Sequence, residues 1–530
     1  MESVAARPGN GVAEAGRTWL ERWWPALVVG AITAVGFALR VASFGDSLFG
    51  DELATHWTAG RPTLVGVVEA VQTDQELTPP LYYVLAWFGR QIGNPLVWVR
   101  LPSLLAGTLV IPLVYVLGMR TVGRPAALVG SGLFALNQFM IFYAVEARSY
   151  SVALLLVMLA TLSVLAALRT GQARWWVAYA LCTVGTIYTH YTAAFTLGML
   201  AVWVLWSHPR QWLPLLAANA VAGLAFVPWI PYWLDDTRSP FSGIGGAIQP
   251  FGFRHALDQW LILAVGRPFA NLSEFLSDAT LILIGAGLAV ALAGFVILVR
   301  RGRIRLGSLR PESGLVLLAL LAVAGPLGAA FFSIVSDDIF ISRNISASLP
   351  PLTLLGAALV TSGPGRVAVA ATGLVLAGFA VGAVRSLEVE HRRPDYRAVA
   401  SLIDESTNPG APILDFPPPS PGPPTELEAE VDRLAVPHRV YRLGLPPRPP
   451  GPVTPEDVFQ VPPEPRDVTR EAIRAAGDGS IALVQSAFSF GGAQFGPEVR
   501  ELLAERYGPP REEALYRGVA PVSVEIYGDG

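Results

Sequence analysis

Eleven apolar runs, each about the length that crosses a bilayer, fill most of the first 385 residues, and no other feature restricts the fold as strongly. Backbone inside lipid has to satisfy its own hydrogen bonds, so such runs become helices. They extend over Pro25–Phe44, Leu101–Gly118, Ala126–Phe142, Ser151–Leu168, Trp175–Tyr188, Thr192–Trp206, Leu213–Trp233, Ala279–Val299, Gly314–Phe332, Ile345–Thr361 and Val367–Val384, two of them short. A hydrophobic fraction of 52% against a charged fraction of 15% leaves too few charges to cover a soluble globule of 530 residues. The expected fold is therefore a polytopic α-helical membrane protein of about eleven transmembrane helices.

Charge orients the helices. With residues 1–24 in the cytoplasm, the inner loops collect Arg120 and Arg124, Arg169 and Arg174, Arg210, then Arg300, Arg301, Arg303, Arg305 and Arg310, then Arg366. This is the positive-inside bias repeated loop after loop, and it places the tail after the eleventh run outside the cell. Arginines ahead of the first run also fit a signal-peptide core, but the runs that follow favour an uncleaved anchor. The outer boundary differs in kind: Arg40, Asp51, Glu52, Asp74, Glu76, Arg100, Glu146, Arg148, Tyr150, His190, Tyr191, Asp337, Asp338 and Arg343 gather there from many separate runs. Ionisable groups at a membrane boundary are costly unless paired or functional, so this convergence points to a site.

The organisation that follows is a cytoplasmic segment 1–24, a membrane domain 25–385 with its first outer loop at about 45–100, and an extracytoplasmic α/β domain 386–530. In the tail, Pro394–Ile403, Val468–Ala476 and Pro497–Tyr507 read as helices, and Ala411–Phe416, Ile481–Gln485 and Val522–Tyr527 as strands. Proline-rich stretches, Pro417–Pro424 and Pro446–Pro465, read as irregular connections. Gly491 and Gly492 lack the spacing of a phosphate loop. A net charge of −3 gives no basic excess for nucleic acid. The lone Cys182 allows neither an intramolecular disulfide nor a cysteine metal site. Every basic residue is arginine, so any bound phosphate has to be held by guanidinium.

Asp51 and Glu52 follow the first run directly. Adjacent carboxylates near a membrane surface can deprotonate an acceptor hydroxyl, or together hold a divalent cation that neutralises a leaving phosphate. An Asp at a helix start is also a common cap, so the pair gains weight only from its company. Arg40, just before the pair, and Arg100, Arg148 and Arg343, at the outer ends of other runs, are the guanidiniums a phosphate leaving group requires. Pro62–Val71 and the aromatics Tyr82, Tyr83, Trp87 and Phe88 fit amphipathic segments lying along the outer interface.

The order Leu39-Arg40, Asp51-Glu52, Pro79-Pro80-Leu81-Tyr82-Tyr83, Arg100-Leu101-Pro102-Ser103, Glu146-Ala147-Arg148-Ser149-Tyr150, Thr189-His190-Tyr191, and Arg343 ahead of Leu349-Pro350-Pro351 resembles the GT-C class of membrane glycosyltransferases. Within it the chain is most similar to the protein O-mannosyltransferase and aminoarabinose-transferase branch, over about the first 400 residues. The tail matches only in its Pro394-Asp395-Tyr396-Arg397 segment. The resemblance implies a hexosyl or pentosyl transferase of the cell envelope that takes sugar from a polyprenyl phosphate and inverts the anomeric carbon. By motif, Asp51 is the catalytic carboxylate and Glu52 its neighbour. Donor and phosphate contacts fall to Arg40, Arg100, Glu146, Arg148, Tyr150, His190, Tyr191 and Arg343. One departure matters: the aminoarabinose branch has lysine before the proline pair, where this chain has Leu77-Thr78, so the phosphate contact has to come from elsewhere.

Two other functions compete. A transporter or flippase of lipid-linked sugar also needs many spans and an arginine-lined cavity, but its internal repeats and midplane helix breaks are not visible. A structural membrane protein whose tail binds an envelope partner leaves Asp51, Glu52 and the arginines unused.

Overall fold

The computed structural model describes residues 19–72, 77–236, 250–266, 278–301, 310–418, 424–447, 462–489 and 491–529. Asp74, Glu76, Arg303, Arg305 and most of the second proline-rich stretch lie outside the described residues. All eleven apolar runs are helical. The first part of the chain holds the apolar α1 (Trp19–Val41) and then the shorter α2 (Asp51–Thr58), α3 (Leu64–Val71), α4 (Leu81–Arg90) and α5 (Pro95–Trp98). The membrane part continues with α6 (Leu101–Thr121), α7 (Arg124–Leu136), α8 (Gln138–Tyr143), α9 (Tyr150–Thr170), α10 (Ala173–Ile187), α11 (Ala194–Ser207), α12 (Trp212–Phe226), α13 (Ile230–Asp236) and α14 (Phe253–Val265). It closes with α15 (Ala279–Arg300), α16 (Gly314–Val335), α17 (Leu349–Ser362) and α18 (Gly365–Arg385).

Among the described residues seven helices are long and apolar enough to cross a membrane, and the remaining runs form shorter apolar helices. Three further apolar helices, at Arg124–Leu136, Tyr191–Ser207 and Ser346–Ser362, and α10 are shorter. The shortening has local causes. The run Ala126–Phe142 breaks at Asn137, whose side chain caps α8 by accepting from the Met140 amide at 3.0 Å and donates to the Leu263 carbonyl. The α15 and α18 pair shows how the bundle packs without a hydrophobic drive between helices: a Cβ on Gly287 would lie 2.6 Å from Val375 Cγ2, and one on Gly378 2.7 Å from Ile284 Cγ1. Backbones approach that closely only over small residues.

The tail forms one five-stranded sheet in the order β2-β1-β3-β5-β4, with β1 (Ile413–Phe416), β2 (Val440–Arg442), β3 (Ile481–Ser486), β4 (Glu512–Tyr516) and β5 (Val522–Tyr527). β1 runs parallel to β2 and β3, whereas β5 is antiparallel to β3 and β4. Strand residues alternate between two cores. Ile413, Ala482 and Val484 pack against α19 (Tyr396–Ser406) and α20 (Glu426–Val431), while Leu414, Phe416, Ile481 and Leu483 pack against α21 (Pro465–Ala476) and α22 (Gly492–Tyr507). The six expected elements of the tail are present, with ends shifted by a few residues at most of them. β2, β4 and α20 are additions, and α20 is the one that reaches the membrane part: its Ala429 packs with Leu48, Leu53, Tyr82 and Leu96 of the first outer loop.

Candidate active site

Asp51 and Glu52 open α2 behind Gly50, whose φ of +59° is a conformation glycine adopts without strain. Two acidic residues in a first helical turn also face the positive end of the helix. Their side chains then part. Glu52 is fully buried and its carboxylate is saturated: Arg100 Nε and Nη2 donate to its two oxygens, each at 2.6 Å. Arg393 Nε donates at 2.9 Å, the Ala147 amide at 2.8 Å and the Phe49 amide at 3.2 Å. Burial alone would push this carboxyl up, but Arg100 and Arg393 outweigh it and hold Glu52 below the usual range. Arg100, for its part, spends its remaining donors on the carbonyls of Phe44, Asp46 and Ser47. Neither residue has a group left over for a substrate: Arg100 is a strut of the segment between α1 and α6, and Glu52 is its counter-charge.

Asp51 faces the other way. Its Oδ2 lies 2.7 Å from Arg343 Nη1, and both side chains keep about a third of their surface exposed, 31% and 32%. Arg343 holds the Asp51 carboxyl below its ordinary value, with burial working in the opposite direction. The Arg343 guanidinium also stands 5.9 Å over the Tyr150 ring. Tyr150 meets His190 edge-on at 5.3 Å and Tyr143 at 5.6 Å. Burial brings His190 down to about 3, with Arg148 and Arg343 adding to the effect, so its imidazole is neutral. Glu146 is buried with no partner for Oε2, and burial raises it to about 7 against the pull of Arg393.

Arg148 reaches the same side. Its Nη1 donates to the Tyr83 hydroxyl at 3.0 Å and its Nη2 to Thr78 Oγ1 at 2.9 Å. Thr78 is the residue ahead of the proline pair, where the resemblance led one to expect lysine. The guanidinium of a distant chain segment thus arrives at the position from which the lysine is missing.

Other expected site residues sit elsewhere. Arg40 is fully buried on α1 and donates to the carbonyls of Gly36 at 2.7 Å and Ala135 at 3.1 Å. The Tyr191 hydroxyl accepts from Trp229 and donates to Asp236, facing α12 and α13. Asp51 and Glu52 do not fit a shared metal, because Glu52 is spent on arginines and amides; among the described residues no group of three or more His, Cys, Asp or Glu is placed to hold an ion. Three residues of the site were not expected from sequence. Tyr143 and Arg393, the latter 4.2 Å over the Phe142 ring, carry no local motif. Glu426 accepts from the Gly50 amide at 3.0 Å, so the tail domain grips the residue just before Asp51.

Residues 78–234 match the family model described as Dolichyl-phosphate-mannose-protein mannosyltransferase. The fold matches the crystal structure of ArnT from Cupriavidus metallidurans bound to undecaprenyl phosphate, with a TM-score of 0.53 and 17% identity over 94% of this chain and 98% of that one. ArnT from the same organism in the apo state matches with a TM-score of 0.53 and 15% identity, over 95% of this chain and 98% of the other. No protein of curated function matches significantly in sequence. The chain thus carries the fold of these ArnT structures, and its apolar helices make it a multi-pass membrane protein. In fold it is ArnT-like, and at that level the resemblance read from its short motifs stands.

Proposed function

We propose that this chain is a glycosyltransferase that moves a sugar from a polyprenyl phosphate to an acceptor on the extracytoplasmic face, with inversion. The observation that carries the reading is the partly exposed Asp51–Arg343 pair, flanked by Arg148, on a loop that the buried Glu52 cluster makes rigid. A carboxylate aimed at solvent beside two guanidiniums supplies both halves of the chemistry. The acceptor hydroxyl attacks the anomeric carbon and its proton passes to Asp51, while the bond to the carrier phosphate breaks on the opposite side. Arg343 and Arg148 receive the charge that develops on the leaving phosphate.

Arg343 then has two partners in turn. While it holds Asp51, the carboxylate is a weak base; a donor phosphate that draws Arg343 away raises the basicity of Asp51 when a substrate is present to use it. Undecaprenyl phosphate in the ArnT structure supports a polyprenyl carrier here. The arginine bias of the inner loops supports eleven crossings, a cytoplasmic N-terminus and an extracytoplasmic α/β domain 386–530. The test is purified protein in nanodiscs with polyprenyl-phosphate sugars, scoring release of carrier phosphate with and without acceptors. No release from any such donor would overturn the reading.

A further inference from the structure

At the last turn of α2, a cavity of about 490 Å³ opens between the segment after that helix and the tail domain. Its floor is Trp57, Arg61, Arg90 and Asn94, and its roof is Pro424, Asp432 and Arg433 from the tail. Two of the three arginines are unusual. Arg90 donates from Nη1 to His56 Nδ1 at 2.7 Å and to the His56 carbonyl at 2.6 Å, both neutral acceptors. Accepting through Nδ1 leaves His56 uncharged, and burial with Arg90 beside it brings this imidazole down to about 3. Arg61 stacks 4.1 Å above the Trp57 ring. Among the described residues neither guanidinium pairs with a carboxylate, whereas Arg433 does, with Glu430 at 3.2 Å. Burial lowers Arg90 to about 10. A Cβ on Gly60, next to Arg61, would lie 3.4 Å from Arg90 Nη2, so the two cations border the same short segment.

Partly buried cations without counter-charges cost free energy, and proteins that keep them commonly use them to take up an anion. The cavity joins them to an indole and to an asparagine, the surfaces that hold a sugar ring and its hydroxyls. It lies on the last turn of the same helix that begins with Asp51. We propose that this cavity is an acceptor subsite for an anionic sugar, its carboxylate or phosphate held by Arg61 and Arg90 and its ring lying against Trp57. The assignment rests on the glycosyltransferase reading for the word acceptor, and on the cavity alone for the anionic sugar. Arg433 and Pro424 make the tail domain half of the subsite, which gives that domain a part in choosing what is glycosylated.

The experiment uses the full chain in nanodiscs of neutral lipid, with glucuronate, glucose 6-phosphate and glucose as probes and calorimetry as the readout. The expected result is that both anionic sugars bind at least ten-fold more tightly than glucose, with affinity falling as salt rises. Arg61→Gln, at a residue held only by stacking, should lose ten-fold or more, and so should Arg90→Gln, while Arg90→Lys keeps part of the affinity. Undecaprenyl phosphate, titrated in parallel, should bind all variants alike. Nanodiscs containing phosphatidylglycerol separate the two sources of such an anion: competition with the probes marks a lipid headgroup, and its absence a soluble or polymeric sugar. Equal affinity for glucose and the anionic sugars, or unchanged affinity in Arg61→Gln, would overturn the subsite. Failure of carrier-phosphate release with probe binding intact would instead remove the glycosyltransferase reading and leave an anionic-sugar site.

Discussion

Asp51 Oδ2 lies 2.7 Å from Arg343 Nη1, joining the first outer loop to the segment ahead of α17 across 292 positions of sequence. Its neighbour Glu52 points into the protein and meets Arg100 and Arg393. Consecutive residues at the start of one helix thus have opposite environments, one solvent-facing and one sealed. Any division of labour between them follows from that geometry.

Asp51→Asn keeps the shape and a hydrogen bond to Arg343 but removes the charge. With Asp51 as proton acceptor, turnover should drop by about 10² to 10⁴, the usual contribution of general-base assistance. Melting temperature should fall far less than in Glu52→Gln, because the Asp51–Arg343 pair keeps about a third of its surface in solvent whereas Glu52 is sealed. Transfer near the wild-type rate would remove Asp51 as the base.

Glu52→Gln should act on folding first. The substitution leaves Arg100 and Arg393 buried without their counter-charge, and breaking a buried pair costs about 3 to 5 kcal/mol. A large fall in melting temperature and yield is expected, with any activity loss no greater than the loss of folded protein. Arg393→Ala should share part of the effect, because Arg393 is the tail domain's contact with the same carboxylate. A Glu52→Gln protein as stable as wild type, and inactive, would return Glu52 to the chemistry.

Stability should also depend on pH through the tail domain. Burial raises the Glu426 carboxyl to about 7, from 4.5 for a free glutamate. Between those values the folded state binds the proton that the unfolded state has released, so stability is greatest below about 4.5 and falls as pH rises through 7. The full contribution of such a shift is about 3 kcal/mol. Glu426→Gln, neutral throughout, should flatten part of the decline in melting temperature between pH 5 and 8. An unchanged slope would show that other groups, Asp415 among them, carry it.

The helices of the membrane part were legible because a run of apolar residues has few alternatives in lipid, and the tail's longer helices and strands were legible from their periodicity. β2 escaped because its three residues sit beside a proline-rich stretch, and β4 because an edge strand reading Glu-Glu-Ala-Leu-Tyr has no apolar face to betray it. The Asp51-Glu52 pair was legible as a pair. The separate roles were not, because Glu52 is defined by partners 48, 95 and 341 positions away. The same holds for Arg100, whose place at an outer helix end suits a phosphate ligand equally well until its five donors are counted. Tyr143, Arg393 and Glu426 carry no local signal of any kind.

Orientation can be checked directly. Reporters fused after Arg310 should read cytoplasmic and reporters fused after Arg385 external, since the arginine-rich loops prefer the inner side. The ion pair of Arg385 with Asp278 at 2.9 Å puts the end of α18 and the start of α15 on one side, as that topology requires. An external signal from the loop that contains Arg301 would invert the whole arrangement.

Arg343 supplies the sharpest test, because the proposed mechanism gives it two separable effects. As a phosphate ligand it contributes a charge-assisted hydrogen bond, typically about 1.5 to 3 kcal/mol, so Arg343→Ala should weaken donor binding by about 10- to 150-fold. As the partner of Asp51 it holds that carboxyl below its ordinary value. Removing it lets the Asp51 pKa rise, and the acid limb of the kcat/KM profile should therefore move to higher pH. Arg343→Lys, which keeps a cation but not the planar fork, should fall between the two in both measurements. A purely structural arginine would lower the amount of folded protein and leave both donor affinity and the pH profile of the remainder where they were. Donor binding that weakens while the acid limb stays fixed would separate the two roles, keeping Arg343 on the phosphate and removing its control of Asp51.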